Sequence, residues 1–208
     1  MKFYVIRHPW TESNVNRILQ GWGDSKLTPI GKKMALKLGN YLKNKNISKI
    51  FTSDLGRCKQ TSKIVNNILN VEIKETKELR ELNLGIYNNI PKKIVDKNYK
   101  ITDYSIIPKD GESFLQMKER VLKYLYNGFQ KNRIYLVVTH SGCYQAILSE
   151  ALDVELSFKK LKTTPMTISL FEIKNKKIHL LEKKDIGYPY TTFFFFVKYF
   201  IRRIISKT

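Results

Sequence analysis

Residues 3 to 14 read Phe3-Tyr4-Val5-Ile6-Arg7-His8-Pro9-Trp10-Thr11-Glu12-Ser13-Asn14. The first four are apolar with aromatic and β-branched character, a run the length of a buried strand. An Arg-His pair at the end of such a run is costly to bury unless something binds it. Open α/β sheets hold their ligands beyond the carboxyl ends of strands. Arg7 and His8 therefore stand where a catalytic site is expected. A second edge of this kind comes late in the chain, where Ile134-Tyr135-Leu136-Val137-Val138-Thr139 runs into His140-Ser141-Gly142. Of three histidines, these two each end an apolar run.

Between the two edges, helix and strand signals alternate. Thr28-Pro29 marks a helix start, with Thr28 as N-cap and Pro29 at the first helical position. Ile30, Met34, Leu38, Tyr41 and Leu42 follow at helical spacing over residues 30 to 44. Ile47 to Thr52 is expected to be a strand, Ser53-Asp54 to open the next helix, and Val71 to Ile73 to be a short strand. Residues 79 to 112 show no clean period, carry Pro91, Pro108 and Asp110-Gly111, and are expected to cover the site. Helical spacing returns from Phe114 to Phe129 and again over residues 143 to 151. Thr167 to Ile173 and Lys177 to Glu182 form a terminal hairpin. This order predicts an α/β protein, a three-layer α/β/α sandwich with a mostly parallel central sheet. A chain of 208 residues suits one such domain, placed at 1–187, followed by a tail at 188–208.

No stretch of 18 apolar residues occurs, and the first apolar run is too short for a signal peptide. Cys58 and Cys143 make no disulfide framework and no zinc spacing, so a cytoplasmic location is the expectation. The formal charge of +20 raises the question of nucleic acid. The lysines are scattered through the whole chain, which fits a compositional bias better than a binding patch. No nucleic-acid partner is expected; a positive field does draw in small anions.

Four segments assemble into one chemistry: Arg7-His8 with Asn14, Ser53-Asp54-Leu55-Gly56-Arg57, Leu79-Arg80-Glu81, and Thr139-His140-Ser141-Gly142. Arginine forks bind phosphate oxygens in bidentate fashion. Arg57 falls early in an expected helix, where free N–H groups also favour an anion. A neutral imidazole can attack phosphorus and a carboxylic acid can protonate the departing oxygen. Taken singly, Arg57 and Glu81 read as solvated surface residues, and Glu12, Asp24 and Glu112 as loop or capping residues. Neither cysteine has an arginine six positions on, as a cysteine phosphatase requires, and no Gly-x-x-x-x-Gly-Lys loop exists.

These segments resemble the histidine phosphatase superfamily, in the branch of cofactor-dependent phosphoglycerate mutases and their phosphatase relatives. Its opening Arg-His-Gly-Glu-Thr-x-x-Asn motif corresponds to Arg7 through Asn14. Its next loop resembles Gln20-Gly21-Trp22-Gly23-Asp24-Ser25-Lys26-Leu27-Thr28-Pro29, and its Ser-Asp-Leu-x-Arg-x-x-x-Thr helix start resembles Ser53 to Thr61. Its Leu-Arg-Glu, Gly-Glu-Ser and Thr-His-Ser-Gly segments resemble Leu79-Arg80-Glu81, Gly111-Glu112-Ser113 and Thr139 to Gly142. The likeness runs from about Lys2 to about Lys183.

The resemblance implies a phosphoglycerate mutase-like fold and a histidine acid-type phosphatase acting on a small phosphorylated metabolite. It implies that His8 is the nucleophile and forms phosphohistidine. Arg7, Arg57 and His140 would hold the phosphoryl oxygens, and Glu81 would donate the proton to the leaving group. Asn14, Gln20, Gly21 and Ser141 would line the substrate side. It implies no metal and no cofactor, the arginines supplying the positive charge. Mutases of the branch carry a long insertion after Leu-Arg-Glu; here 29 residues separate Glu81 from Gly111, which favours hydrolysis. Mutase-type phosphoryl transfer, or a degenerate member that binds without turnover, are the alternatives.

The chain departs from the pattern at two places. Pro9 replaces the usual Gly, with φ fixed near −65° and no N–H to offer an oxyanion. Trp10 replaces the usual Glu and puts a large ring near the site, facing substrate or packing the loop. Trp10, Trp22 and Tyr87 together hint at a ring-bearing or apolar leaving group. Beyond the likeness, residues 191 to 208 carry Phe193, Phe194, Val197, Phe200, Ile201, Ile204 and Ile205 on one helical face and Lys198, Arg202, Arg203 and Lys207 on the other. Such an amphipathic basic aromatic helix suits peripheral contact with a membrane surface. Packing on its own domain or across a homodimer stays open as the other reading.

Overall fold

The computed structural model describes residues 1–98, 106–130, 132–155, 161 and 163–187. The tail at 188–208, and with it every expectation placed on it, lies outside the described residues. In chain order the elements are β1 (Lys2–Arg7), α1 (Glu12–Val15), β2 (Ile18–Leu19), α2 (Pro29–Leu42), β3 (Ile47–Ser53), α3 (Gly56–Leu69) and β4 (Glu72–Thr76). Two 3-10 turns (Lys77–Leu79 and Gly85–Tyr87) lead to β5 (Ile90–Pro91), α4 (Lys92–Asn98), α5 (Phe114–Gly128), β6 (Ile134–Thr139), α6 (Ser141–Leu152), β7 (Thr167–Lys174) and β8 (Lys177–Asp185).

The strand order of the main sheet is β4-β3-β6-β1-β7-β8. The pairs β4-β3, β3-β6 and β6-β1 are parallel, and β1-β7 and β7-β8 are antiparallel. This is the expected mostly parallel sheet, with the hairpin at one edge. Strand alternation splits the core in two. Phe3 and Val5 of β1 with Tyr135 and Val137 of β6 face the side covered by α5 and α6. Tyr4 and Ile6 with Leu136 and Val138 face the side covered by α2 and α3. Both faces are apolar, which is why these strands are continuous hydrophobic runs. Each fully buried side chain of this size contributes about 1.5–3 kcal/mol.

Helix ends follow local chemistry. Thr28 caps α2, its side chain accepting the Gly31 N–H, and Pro29 stands at the first turn. Ser113 and Gln116 form a reciprocal capping box on α5. Several boundaries differ from the sequence expectation. Ser53 does not open a helix: it pairs with Thr76 as the last residue of β3, and α3 begins at Gly56. Helix α6 begins at Ser141 rather than 143, because His140 already has the extended N-cap conformation. The fourth strand continues to Thr76, held by parallel pairing to β3. The irregular stretch after Glu81 carries β5, which pairs with β2 in a separate two-stranded ribbon.

Candidate active site

The ends of β1 and β6 lie side by side, with Arg7 in register with Thr139 and the His8 N–H donating to the Thr139 carbonyl at 2.9 Å. The ring centroids of His8 and His140 are 5.2 Å apart as a result. Next to β6, β3 ends at Ser53 and turns into α3, which brings in Arg57. Sheet order alone thus gathers three of the expected segments.

His8 is buried, and its Nδ1 lies 2.9 Å from the Pro9 carbonyl oxygen. A carbonyl only accepts, so Nδ1 carries the proton and Nε2 presents a lone pair. That lone pair receives the Arg57 Nε–H at 3.2 Å. Burial, followed by the charges of Arg57 and Arg7, holds the His8 pKa well below 6.5 against the opposing Pro9 hydrogen bond. The proline therefore keeps what this position contributes, a carbonyl, and the N–H it lacks is not used by His8.

Arg57 is almost wholly buried, 1% exposed, and every nitrogen is engaged. Its Nε also meets His140 Nδ1 at 3.1 Å, and Nη1 and Nη2 donate to the carbonyls of Gly23 and Gly21 at 2.7 and 2.8 Å. The loop from Gln20 to Gly23 is thus a backbone cradle for the guanidinium. Gly21 has φ +50°, and a Cβ there would stand 2.0 Å from Asn88 Oδ1, so only glycine fits. Asp24 completes the arrangement from the same loop. Its carboxylate accepts the N–H groups of Gly56 and Arg57 at 2.7 and 3.1 Å, capping α3, whose N-cap Leu55 offers no side-chain bond. Burial pulls the Arg57 pKa down, yet a guanidinium stays charged.

His140 lies behind Arg57, wholly buried. Its Nε2 is 2.9 Å from Ser53 Oγ and 3.4 Å from Cys58 Sγ. Burial, then Arg57 and His8, hold its pKa well below 6.5. The Cys58 thiol is pushed well up by burial, and Cys143 up to about 12, so neither is a thiolate nucleophile.

Glu81 comes from the loop after β4. Its Oε1 accepts the N–H of Leu82 at 3.0 Å and of Gly142 at 3.1 Å, the second being a free donor of the first turn of α6. Its backbone is held as well: Trp22 Nε1 donates to the Glu81 carbonyl at 2.7 Å, and the Arg80 guanidinium lies 4.7 Å from the Trp22 ring centroid. Arg80 in turn makes a two-pronged pair with Asp54 at 2.7 and 2.6 Å, and this bond holds the Asp54 pKa below the usual carboxylate range.

Arg7, His8, Asn14, Gln20, Gly21, Arg57, Glu81 and Ser141 all line one cavity of about 240 Å³. His140 does not reach it and touches Arg57 instead. Two polar atoms of that set are buried without a partner, Arg7 Nε and Gln20 Oε1. Asn14 Oδ1 is committed to the Thr11 N–H and hydroxyl, which leaves its amide nitrogen for a ligand. Trp10, Trp22 and Tyr87 are not among the lining residues. Trp10 packs against the α2/α3 core, Trp22 supports Glu81, and Tyr87 packs against the α5/α6 core, so these three rings give no support to a ring-bearing or apolar leaving group. Among the described residues no cluster of three or more His, Cys, Asp or Glu side chains is arranged to hold a metal. Sequence reasoning missed Asn88, whose Oδ1 accepts the N–H groups of Trp22 and Leu84, and the pairing of Asp54 with Arg80; the Trp22 and Asp54 contacts join segments far apart in the chain.

Known proteins share this fold and stretches of this sequence. The broad-specificity phosphatase YOR283W of Saccharomyces cerevisiae is 41% identical over 91 residues, covering 41% of this chain and 40% of that protein. The probable phosphoglycerate mutase GpmB of Yersinia enterocolitica is 35% identical over 91 residues, covering 44% and 42%. The chain matches these relatives over about two fifths of their length. The structure of YhfR from Bacillus stearothermophilus superposes with a TM-score of 0.81 at 25% identity, over 89% of this chain and 98% of that one. A mycobacterial glucosyl-3-phosphoglycerate phosphatase complexed with VO3 shares the fold, with a TM-score of 0.79 at 18% identity over 89% and 99%. The model of the histidine phosphatase superfamily (branch 1) matches residues 3–186, and the chain belongs to that family.

Proposed function

We propose that this chain is a phosphomonoester hydrolase of the histidine acid type, acting on a small phosphorylated metabolite through phosphohistidine and without a metal. One observation carries the reading. The Pro9 carbonyl fixes the His8 tautomer, so an unprotonated Nε2 is held beside Arg57 in a cavity that also contains Arg7 and Glu81. An incoming phosphoryl group takes over the donors that now meet imidazole lone pairs. The partnerless Arg7 Nε and the remaining Arg57 N–H groups then bear its oxygens. His140 acts through Arg57, whose Nε it fixes.

His8 Nε2 forms the N–P bond as the P–O ester bond breaks, and protonated Glu81 gives its proton to the departing oxygen. Water then attacks phosphorus and gives a proton back to Glu81, and the N–P bond breaks to release phosphate and restore Nε2. The names of the yeast relative and of the mycobacterial neighbour support hydrolysis. So does the short connection between Glu81 and Gly111. The test is steady-state phosphate release by wild type and by His8→Ala, each with a melting curve. Wild type should turn over and form an acid-labile, alkali-stable phosphoenzyme. His8→Ala should keep its fold and fall by a factor of ~10⁴ or more. Activity above about one percent of wild type in a folded His8→Ala protein would refute the nucleophile.

A further inference from the structure

The cavity lining divides by chemistry. Arg7, His8, Arg57 and Glu81 form its reactive part. Ile18 and Leu19 of β2, Leu82, Leu84 and Phe114 supply apolar wall. Among the described lining residues the two arginines are the sole cations, and both act on His8, whose pKa their charges depress. A second anionic group on the ligand would therefore lose its water against Ile, Leu and Phe side chains with no further cation among the described lining residues to meet it.

Gln20 adds a second, independent observation. Its side chain lines the cavity, is 7% exposed, and its Oε1 has no partner. A buried acceptor of this kind calls for a donor. The oxygens of a phosphoryl dianion and its ester only accept. A donor on the leaving group is the group that would meet it. The cavity, at about 240 Å³, is below the roughly 300–1,000 Å³ of pockets for drug-sized ligands.

We infer that the site selects monophosphates of small, uncharged, largely apolar alcohols that carry one hydrogen-bond donor, and that it rejects those with a second anionic group. This rests on the phosphatase reading above. Phosphoglycerate-type molecules, which carry a carboxylate, fall in the rejected class.

A matched series tests it: butyl phosphate, 4-hydroxybutyl phosphate and 4-(phosphonooxy)butanoate. All leave as primary alcohols that need the Glu81 proton, so the chemistry of departure is shared. For wild type, kcat/KM should be about 100-fold lower for the carboxylate than for butyl phosphate, and about tenfold higher for the hydroxyl compound. Gln20→Leu should abolish the hydroxyl advantage and leave the carboxylate penalty. Ile18→Arg, at a half-buried position on a short strand, should raise the carboxylate relative to butyl phosphate about tenfold. Equal turnover of the carboxylate and butyl compounds by wild type would overturn the inference while the phosphatase reading stands. A hydroxyl advantage that survives in Gln20→Leu would overturn the role of Gln20. No phosphate release from the series or from p-nitrophenyl phosphate would instead sink the phosphatase reading, and this inference with it.

Discussion

Gly142→Ala isolates the placement of Glu81 from its chemistry. A Cβ added at Gly142 would stand 2.4 Å from Glu81 Oε1, with Met117 Cε at 3.3 Å and Glu81 Cδ at 3.4 Å. Ordinary van der Waals contact begins near 3.4 Å, so the carboxylate must withdraw by about 1 Å. A misplacement of about 1 Å at a reacting group costs on the order of 10²-fold in rate. Stability should change little, because alanine is the better helix former by about 1 kcal/mol, which offsets the local strain. The assay is kcat/KM for butyl phosphate and p-nitrophenyl phosphate, with a melting curve. The alkyl ester needs the proton and should lose about 100-fold; p-nitrophenolate departs without it and should lose less than about tenfold. Equal losses on the two esters, or full activity on the alkyl ester, would refute the assignment of Glu81 as the acid and of Gly142 as its seat.

Other outcomes follow from the same geometry. Asp24→Ala removes the cap of α3 and should lower stability by about 1 kcal/mol, while Asp24→Asn, with one acceptor oxygen in place of two, should lose about half as much; urea unfolding of the three proteins checks this. His8 and His140 titrate well below 6.5 in the fold and near ~6.5 when unfolded, so the unfolded chain binds more protons in acid. Their contribution is complete above pH ~6.5 and is lost as pH falls below it, by up to about 1.4 kcal/mol per pH unit for each histidine. His140→Gln should halve that slope, and a flat urea midpoint between pH 8 and pH 5 would contradict it. The acid limb of kcat/KM, which follows neutral His8 in the free enzyme, should lie below pH 6.5.

Much of the site was legible because its members terminate strands. Arg7, His8 and His140 follow unbroken apolar runs, and a sheet buried on both faces makes such runs easy to read. Asn14, Arg57, Glu81 and Ser141 lie in segments singled out for their chemistry, their roles and the residues Gln20 and Gly21 came through the family resemblance, and all six line the cavity. What local pattern did not carry was anything decided by a distant partner. Ser53 has the chemistry of a helix cap, yet pairing with Thr76 makes it strand, and Asp24, 32 positions from Gly56, does the capping. His140 was expected at the phosphate; it is wholly buried beside His8, meets Arg57 Nε and is not among the residues lining the cavity. The ribbon of β2 and β5 is two residues long on each side and too short for any periodicity to register.

The position of β1 has a consequence for how the active protein comes into being. Lys2 pairs with Ile134 on one side and Glu172 on the other. Both neighbours lie more than 130 positions later in the chain, so β1 has no partner until they have emerged. Parallel pairing over such separations closes large loops and is slow. Meanwhile Phe3-Tyr4-Val5-Ile6 stays unpaired, with only the charges of Lys2 and Arg7 at its ends to keep it from other chains. The same step that shelters it also seats His8 against Thr139. Recovery of catalysis after dilution from denaturant would therefore time the closure of the sheet's centre, later than the helical signal.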